Sequence, residues 1–136
     1  MLKNDGIITP EELAPVLPPP ARLEKGPVAI IECLQDIPCD PCVSACPTKA
    51  IKMKEGITDK PLLDFDACTG CGLCIARCPG LAIFVINMKH TPGMAMVSMS
   101  HELLPVPEKG QEVTALDRAG KVLGKVKVVQ IGRAHV

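Results

Sequence analysis

Residues 68–83 read CTGCGLCIARCPGLAI, with cysteines at 68, 71, 74 and 78 and Pro79 directly behind the last. Residues 33–51, CLQDIPCDPCVSACPTKAI, nearly repeat the pattern with Cys33, Cys39, Cys42 and Cys46 followed by Pro47. Laid over one another, Cys46-Pro47-Thr48-Lys49-Ala50-Ile51 and Cys78-Pro79-Gly80-Leu81-Ala82-Ile83 share CPxxAI. A short apolar segment precedes each run, PVAIIE and KPLLDF, and another closes it, AIKMK and AIFVI. Such runs bounded by turn residues predict strands. The unit is therefore strand, cysteine loop, short helix, strand, used twice within residues 27–87.

The second run is C-x2-C-x2-C-x3-C-P, the spacing of bacterial iron–sulfur proteins. Two residues between ligands wrap the chain around one corner of a cubane and bring backbone N–H groups toward its sulfurs. Gly70 and Gly72 suit that close approach, because positive φ costs glycine little. The final step of four residues is about one helical turn, roughly 6 Å of rise, so Cys74 and Cys78 can address different clusters. Pro79 then stops the helix, having no N–H to continue it and disfavouring helical backbone in the residue before it.

On these residues the segment 30–84 resembles the bacterial two-cluster ferredoxin family. The resemblance implies an α+β fold, a pseudo-twofold βαβ repeat that binds two [4Fe-4S] clusters, in which the fourth cysteine of each run ligates the other run's cluster. Carried onto this chain, Cys33, Cys39, Cys42 and Cys78 hold one cluster, and Cys46, Cys68, Cys71 and Cys74 hold the other. The first run departs from the family in placing five residues, Leu34 to Pro38, between its first two cysteines, where two are usual.

Composition narrows the alternatives. Phe65 and Phe84 are the only aromatic residues, and fourteen prolines interrupt regular structure, so the core must be small and aliphatic, with other help in holding the fold. Fifteen basic and fifteen acidic side chains balance, and no basic patch interleaved with aromatics is present, which argues against nucleic acid. No apolar run is long enough to span a bilayer. MLKNDGIITPEE lacks the features of a secretory signal, so a reducing, cytoplasmic setting is expected, and with it thiols rather than disulfides. Zinc could use paired CxxC motifs, but does not call for a third evenly spaced cysteine and a CP end. With eight thiolates and two oxidised cubanes counted, the formal charge becomes about −4.

The flanks are expected to differ from the repeat. Residues 1–26 read as an extended proline-rich arm: Thr9-Pro10-Glu11-Glu12 predicts one helical turn, and PVLPPPARL a polyproline II strap. Residues 88–136 hold no cysteine and read as a small β module, with strand-like MAMVSMS, QEVTALD and KVLGKVKVVQI. Met94 and Met96 are read there as core filling. His90, His101 and His135 have no partners at ligand spacing and receive no role.

No nucleophile–base set occurs, nor either glycine-rich phosphate motif, so no catalytic site of its own is expected. The reading is an electron-transfer subunit in a hetero-oligomer with a catalytic oxidoreductase subunit, expected to be a flavoprotein. The alternatives are a free diffusible ferredoxin and a cluster-based sensor or structural protein. Extensions beyond a minimal ferredoxin favour the subunit. The IECxxxIPCxPCxxACP form of the first motif also resembles ferredoxin-like proteins that accompany flavin-dependent amino-acid or amine dehydrogenases.

Overall fold

The computed structural model describes residues 1–132. The chain divides into two compact units, Met1–Ser100 and a second from His101 onward. Within the first unit lie four one-turn helical segments, α1 (Leu2–Asp5), α2 (Pro10–Leu13), a 3-10 turn (Ala14–Val16) and α3 (Pro20–Leu23). Strand β1 (Val28–Ile31), helix α4 (Pro41–Ala45) and strand β2 (Ile51–Lys52) follow. Strand β3 (Leu62–Leu63), helix α5 (Leu73–Arg77) and strand β4 (Ile83–Thr91) come next, then β5 (Met94–Ser98).

Strand pairing interlocks the two cysteine runs. β1, which opens the first run, pairs antiparallel with β4, which closes the second, in the register Ala29↔Val85 and Ile31↔Ile83. β2, which closes the first run, pairs with β3, which opens the second, through Ile51↔Leu63 and Lys52↔Leu62. Neither run can pair its own strands without abandoning these partners. Alternation along β1 and β4 buries one face through Ala29, Ile31, Ile83 and Val85, each at most 4% exposed, and Val28 is buried as well. The buried cluster takes in Cys42 and Cys74 from the two short helices. So small a core, aliphatic apart from cysteine, leaves metal binding as a direct contributor to folding.

The helix ends follow the same local rules in both runs. Cys46 has φ −79° and ψ 112°, and Cys78 has φ −76° and ψ 111°, the extended conformation that a following proline imposes. Two residues behind those prolines, Lys49 (φ 56°) and Leu81 (φ 53°) both enter the left-handed region, although neither is glycine. The chain turns sharply there, and the next amide, Ala50 or Ala82, faces back to the cysteine.

The N-terminal segment differs from the extended arm expected of it. Pro10, Pro15 and Pro20 each fall in a first helical turn, where the fixed φ of proline suits a helix and its missing N–H costs nothing. Extended backbone is found at Leu17 (φ −81°, ψ 139°) and Pro19 (φ −66°, ψ 153°). Around Thr9 the expected turn is present, with a full capping box: Thr9 Oγ1 accepts from Glu12 N, and Glu12 Oε2 accepts from Thr9 N at 3.0 Å. Pro18, Arg22 and Gly26 are buried, so this segment is part of the packed unit.

Strand β4 runs through residue 88, where the β module was expected to begin, and β5 extends the same sheet. Met94 is 67% exposed, a correction to its reading as core filling. The second unit holds a separate antiparallel hairpin of β6 (Glu112–Leu116) and β7 (Val122–Lys127). Its strands match QEVTALD and KVLGKVKVVQI. His135 lies outside the described residues.

Candidate metal centres

Each cysteine run supplies three residues to one cavity and one to the other. The first cavity is lined by Cys33, Cys39, Cys42 and Cys78. The second is lined by Cys46, Cys68, Cys71 and Cys74. Each is an open cleft of about 310 Å³, counted with the solvent at its mouth. The long loop Leu34–Pro38 does not remove Cys33 from its cavity: the chain folds back, and Cys39 N donates to Ile57 O at 3.1 Å.

Helix α4 carries Cys42 and α5 carries Cys74, both buried, whereas Cys71 is exposed. Burial pushes the Cys74 thiol from its ordinary value up to about 11, with Cys68, Cys71 and Cys46 adding like-charge repulsion. Cys42 is raised first by burial and then by Cys78, Cys39 and Cys33. Cys33 is raised by burial, then by Cys78 and Cys39. The electrostatic neighbours thus divide along the same lines as the cavity walls. Cys46 is the exception in direction. Burial pushes it up, but the Thr48 hydroxyl and the amides of Ala50, Thr48 and Ile51 outweigh burial and hold it low.

Several backbone amides aim at sulfur. Ala50 N donates to Cys46 Sγ at 3.2 Å and Ala82 N to Cys78 Sγ at 3.4 Å, the paired consequence of the CPxxAI turns. Cys68 Sγ accepts from both Ala29 N and Gly70 N at 3.4 Å. Gly70 is required there twice over. Its φ is +69°, and a Cβ would stand 2.5 Å from Cβ of Pro27. Gly72, with φ +79°, supplies the left-handed entry to α5.

Four thiols around a volume, with N–H donors aimed at their sulfurs, fit a cubane cluster. Among the described residues no three cysteine, histidine or carboxylate side chains are already set to hold one metal ion. The donor set is all sulfur, the choice of iron–sulfur chemistry.

Sequence reasoning named all eight cysteines and both cavity-wall glycines, but missed Arg22. Its side chain is 7% exposed and donates to four backbone carbonyls, one of them on Cys68. A single basic residue in a proline-rich stretch gave no signal of this. Thr48, whose hydroxyl lies 3.5 Å from Cys46 Sγ, was quoted only as a variable position of CPxxAI.

Fold and site together define an iron–sulfur protein built on two interlocked cysteine runs. A family described as 4Fe-4S dicluster domain matches residues 37–82, which takes in seven of the cysteines and leaves Cys33 just outside. An uncharacterized ferredoxin of Methanocaldococcus jannaschii is 30% identical over 117 residues, 76% of this chain and 74% of that one. The chain belongs to the ferredoxin family, binds two [4Fe-4S] clusters, and serves electron transport. The ferredoxin-type protein NapF of Haemophilus influenzae is 43% identical over 58 residues, 41% of this chain and 33% of its own length. The polyferredoxin-like subunit of an aliphatic sulfonate oxidoreductase from Pyrococcus furiosus is 34% identical over 86 residues, 58% of this chain and 43% of the subunit. The chain thus spans about a third of NapF and about three quarters of the Methanocaldococcus ferredoxin. No solved structure matches. Among the described residues no helix is long and apolar enough to cross a membrane.

Proposed function

We propose that the chain is the electron-transfer subunit of a multi-subunit oxidoreductase, relaying single electrons between a catalytic subunit and an acceptor. Each cluster supplies reversible uptake and release of one electron, and the chain's own residues hold the pair in one small body. The observation that carries this is the exchange of one cysteine between two cavities, each lined by four cysteines, which keeps both centres within a single interlocked unit. Cys33, Cys39, Cys42 and Cys78 ligate the first cluster, and Cys46, Cys68, Cys71 and Cys74 the second. The β1-α4-β2 and β3-α5-β4 halves are related as a pseudo-twofold repeat, for which the matched backbone angles at Cys46 and Cys78 are the support.

The catalytic partner is a flavin-containing subunit of amino-acid or amine dehydrogenase class, a reading supported by the form of the first cysteine motif. A subunit role is supported by the Pyrococcus relative, itself a subunit of an oxidoreductase. The hairpin unit beyond residue 100 is the surface offered to that partner, since Val122 and Leu123 on it are 62% and 68% exposed.

Anaerobically purified protein is expected to carry about eight iron and eight acid-labile sulfide per chain. Cys78→Ala should cost the cluster of Cys33, Cys39 and Cys42, while Cys46→Ala should cost the one of Cys68, Cys71 and Cys74. Spectra in which each substitution instead damages the cluster nearer in sequence would overturn the ligand assignment. Removal of residues 101–136 should leave iron content unchanged and abolish co-purification with the catalytic subunit from the native host.

A further inference from the structure

Arg22 stands in the third of the short N-terminal helical turns, outside both cysteine runs, yet it is among the most buried charged residues described, at 7% exposure. All three of its guanidinium nitrogens donate. Nε donates to Phe65 O at 2.6 Å, Nη1 to Gly26 O at 3.2 Å, and Nη2 to both Pro27 O at 2.9 Å and Cys68 O at 2.7 Å. Three stretches of chain meet on this one fork: the entry to β1, the exit from β3 and the first ligand of the second run. Only the planar, five-donor head of arginine can serve carbonyls in so many directions.

These four acceptors satisfy the hydrogen bonds but carry no net charge. A buried cation costs several kcal/mol unless a negative group shares its surroundings. Cys68, whose carbonyl takes Nη2, lines the second cavity, where Cys46, Cys68, Cys71 and Cys74 would present four thiolates once loaded. Donors gather on two sulfurs of that cavity, while in the first the Gln35 amide serves Cys33 and the Cys42 amide its own sulfur. Cys68 Sγ takes two amides, and Cys46 Sγ takes the Ala50 amide with the Thr48 hydroxyl beside it. Around the first cavity stand Pro41, Pro61 and Pro79, none of which has an N–H to offer, and Ala82 N is the amide on Cys78 Sγ.

We infer that Arg22 is a charge-compensating and positioning residue for the cluster of the second cavity, and that it sets that cluster's reduction potential above that of the first. The inference rests on the ligand assignment proposed above. Taking up one electron from an external one-electron donor makes the cluster and its four thiolates one unit more negative, with no proton and no bond exchanged. A fixed buried cation and a set of N–H donors stabilise that more negative state and so raise the potential. Through its bonds to Gly26, Pro27 and Cys68, Arg22 also fixes the backbone from which Ala29 and Gly70 reach the same sulfur. The N-terminal segment thereby acts on electron distribution inside the protein: the electron rests in the second cavity, beside exposed Cys71, and the first cluster is the harder to reduce.

The test uses the full chain with both clusters, titrated anaerobically with dithionite and followed by electron paramagnetic resonance, with iron and sulfide counted in every sample. Signals are assigned to cavities with Cys46→Ala and Cys78→Ala, so a failure of the ligand assignment shows in those two proteins alone, before Arg22 is touched. Arg22→Gln removes the charge and Arg22→Lys keeps it. The expected result is two loaded clusters in both, with the reduction equilibrium of the second cluster falling about tenfold in Arg22→Gln, some 59 mV for one electron. The first cluster should hold its potential, and Arg22→Lys should recover the part of the loss that is due to charge. Unchanged potentials in Arg22→Gln, or equal shifts of both clusters, would overturn the inference. So would an Arg22→Lys protein as far displaced as Arg22→Gln. Loss of the second cluster from Arg22→Gln would overturn it too, in favour of a purely structural staple.

Discussion

Cys46 and Cys78 occupy matching places, each ending a five-residue helix, each followed by proline, and each with the amide of an alanine four residues on directed at its sulfur. Their surroundings part company beyond that. Cys78 faces a cavity walled by Ile31, Met53, Ile83 and three prolines, while Cys46 faces one where Thr48, Thr69, Gly70 and Gly72 join Ala29, Ile51 and Leu63. The backbone frame that binds a cluster is thus repeated, but the side chains and amides that tune it are not. A duplicated scaffold can hold two copies of one cofactor and still make them chemically unequal, because potential depends on donors, charge and solvent more than on ligand identity.

The most damaging way to break the comparison is at Gly70, which has a counterpart in neither the first cavity nor the CPxxAI turns. Gly70→Ala forces a side chain into a backbone at φ +69° with Pro27 2.5 Å away. A cost on the order of 2–3 kcal/mol follows, from strain and displaced backbone. Iron analysis and thermal melting should show the second cluster lost or labile while the first is retained. Gly80→Ala is the control, since a Cβ there meets nothing within 4 Å. If Gly70→Ala keeps both clusters with unchanged melting, the tight seat between Pro27 and the Cys68 loop is unimportant.

A smaller effect separates the outer from the inner half of the N-terminal segment. Deleting residues 1–17 removes the capping box of Thr9 and Glu12 and the contact of Glu12 with Leu2 N, but keeps Pro18, Arg22 and Gly26. That network lies toward the surface, and losing it should lower the melting temperature less than Gly70→Ala does. Both clusters and both potentials should survive. A shift of the second cluster's potential in this truncated protein would mean that tuning is spread along the segment and not focused at Arg22.

The cysteine spacing carried most of what the sequence had to say. Three ligands per loop and a helical step to the fourth are local features, and so are the prolines that end α4 and α5, which is why the short elements of both runs were legible. Which cavity each fourth cysteine enters depends on β1 pairing with β4 and β2 with β3, contacts far apart in the chain. That came from family resemblance, not from the residues. Arg22 was illegible for a stricter reason. Its partners are carbonyls, two of them 43 and 46 residues away, and every residue has a carbonyl, so no pattern of side chains marks the site. The proline-rich segment misled in another way: proline suits both polyproline II and the first turn of a helix, and only tertiary contacts chose the second.

Thr48 offers the finest test of the unequal cavities, because the equivalent position in the other CPxxAI turn is Gly80, which has no side chain to donate. The Thr48 hydroxyl lies 3.5 Å from Cys46 Sγ, and when that sulfur is a metal-bound thiolate the hydroxyl is the donor. Its influence already shows in the free thiol, where it helps hold Cys46 low against the push of burial. Thr48→Val keeps the shape and β-branching of the side chain and removes only the donor. A single such bond is worth about 0.5–1.5 kcal/mol, and at this length the lower end applies. The second cluster's reduction equilibrium should fall about twofold, less than for Arg22→Gln, with iron content and the first cluster untouched. Combining Thr48→Val with Arg22→Gln should give nearly the sum of the two shifts, since the hydroxyl acts on Cys46 and the guanidinium on the Cys68 loop. Were Thr48→Val to move the first cluster instead, Cys46 would belong to the other cavity, and the exchange of ligands between the two runs would have to be abandoned.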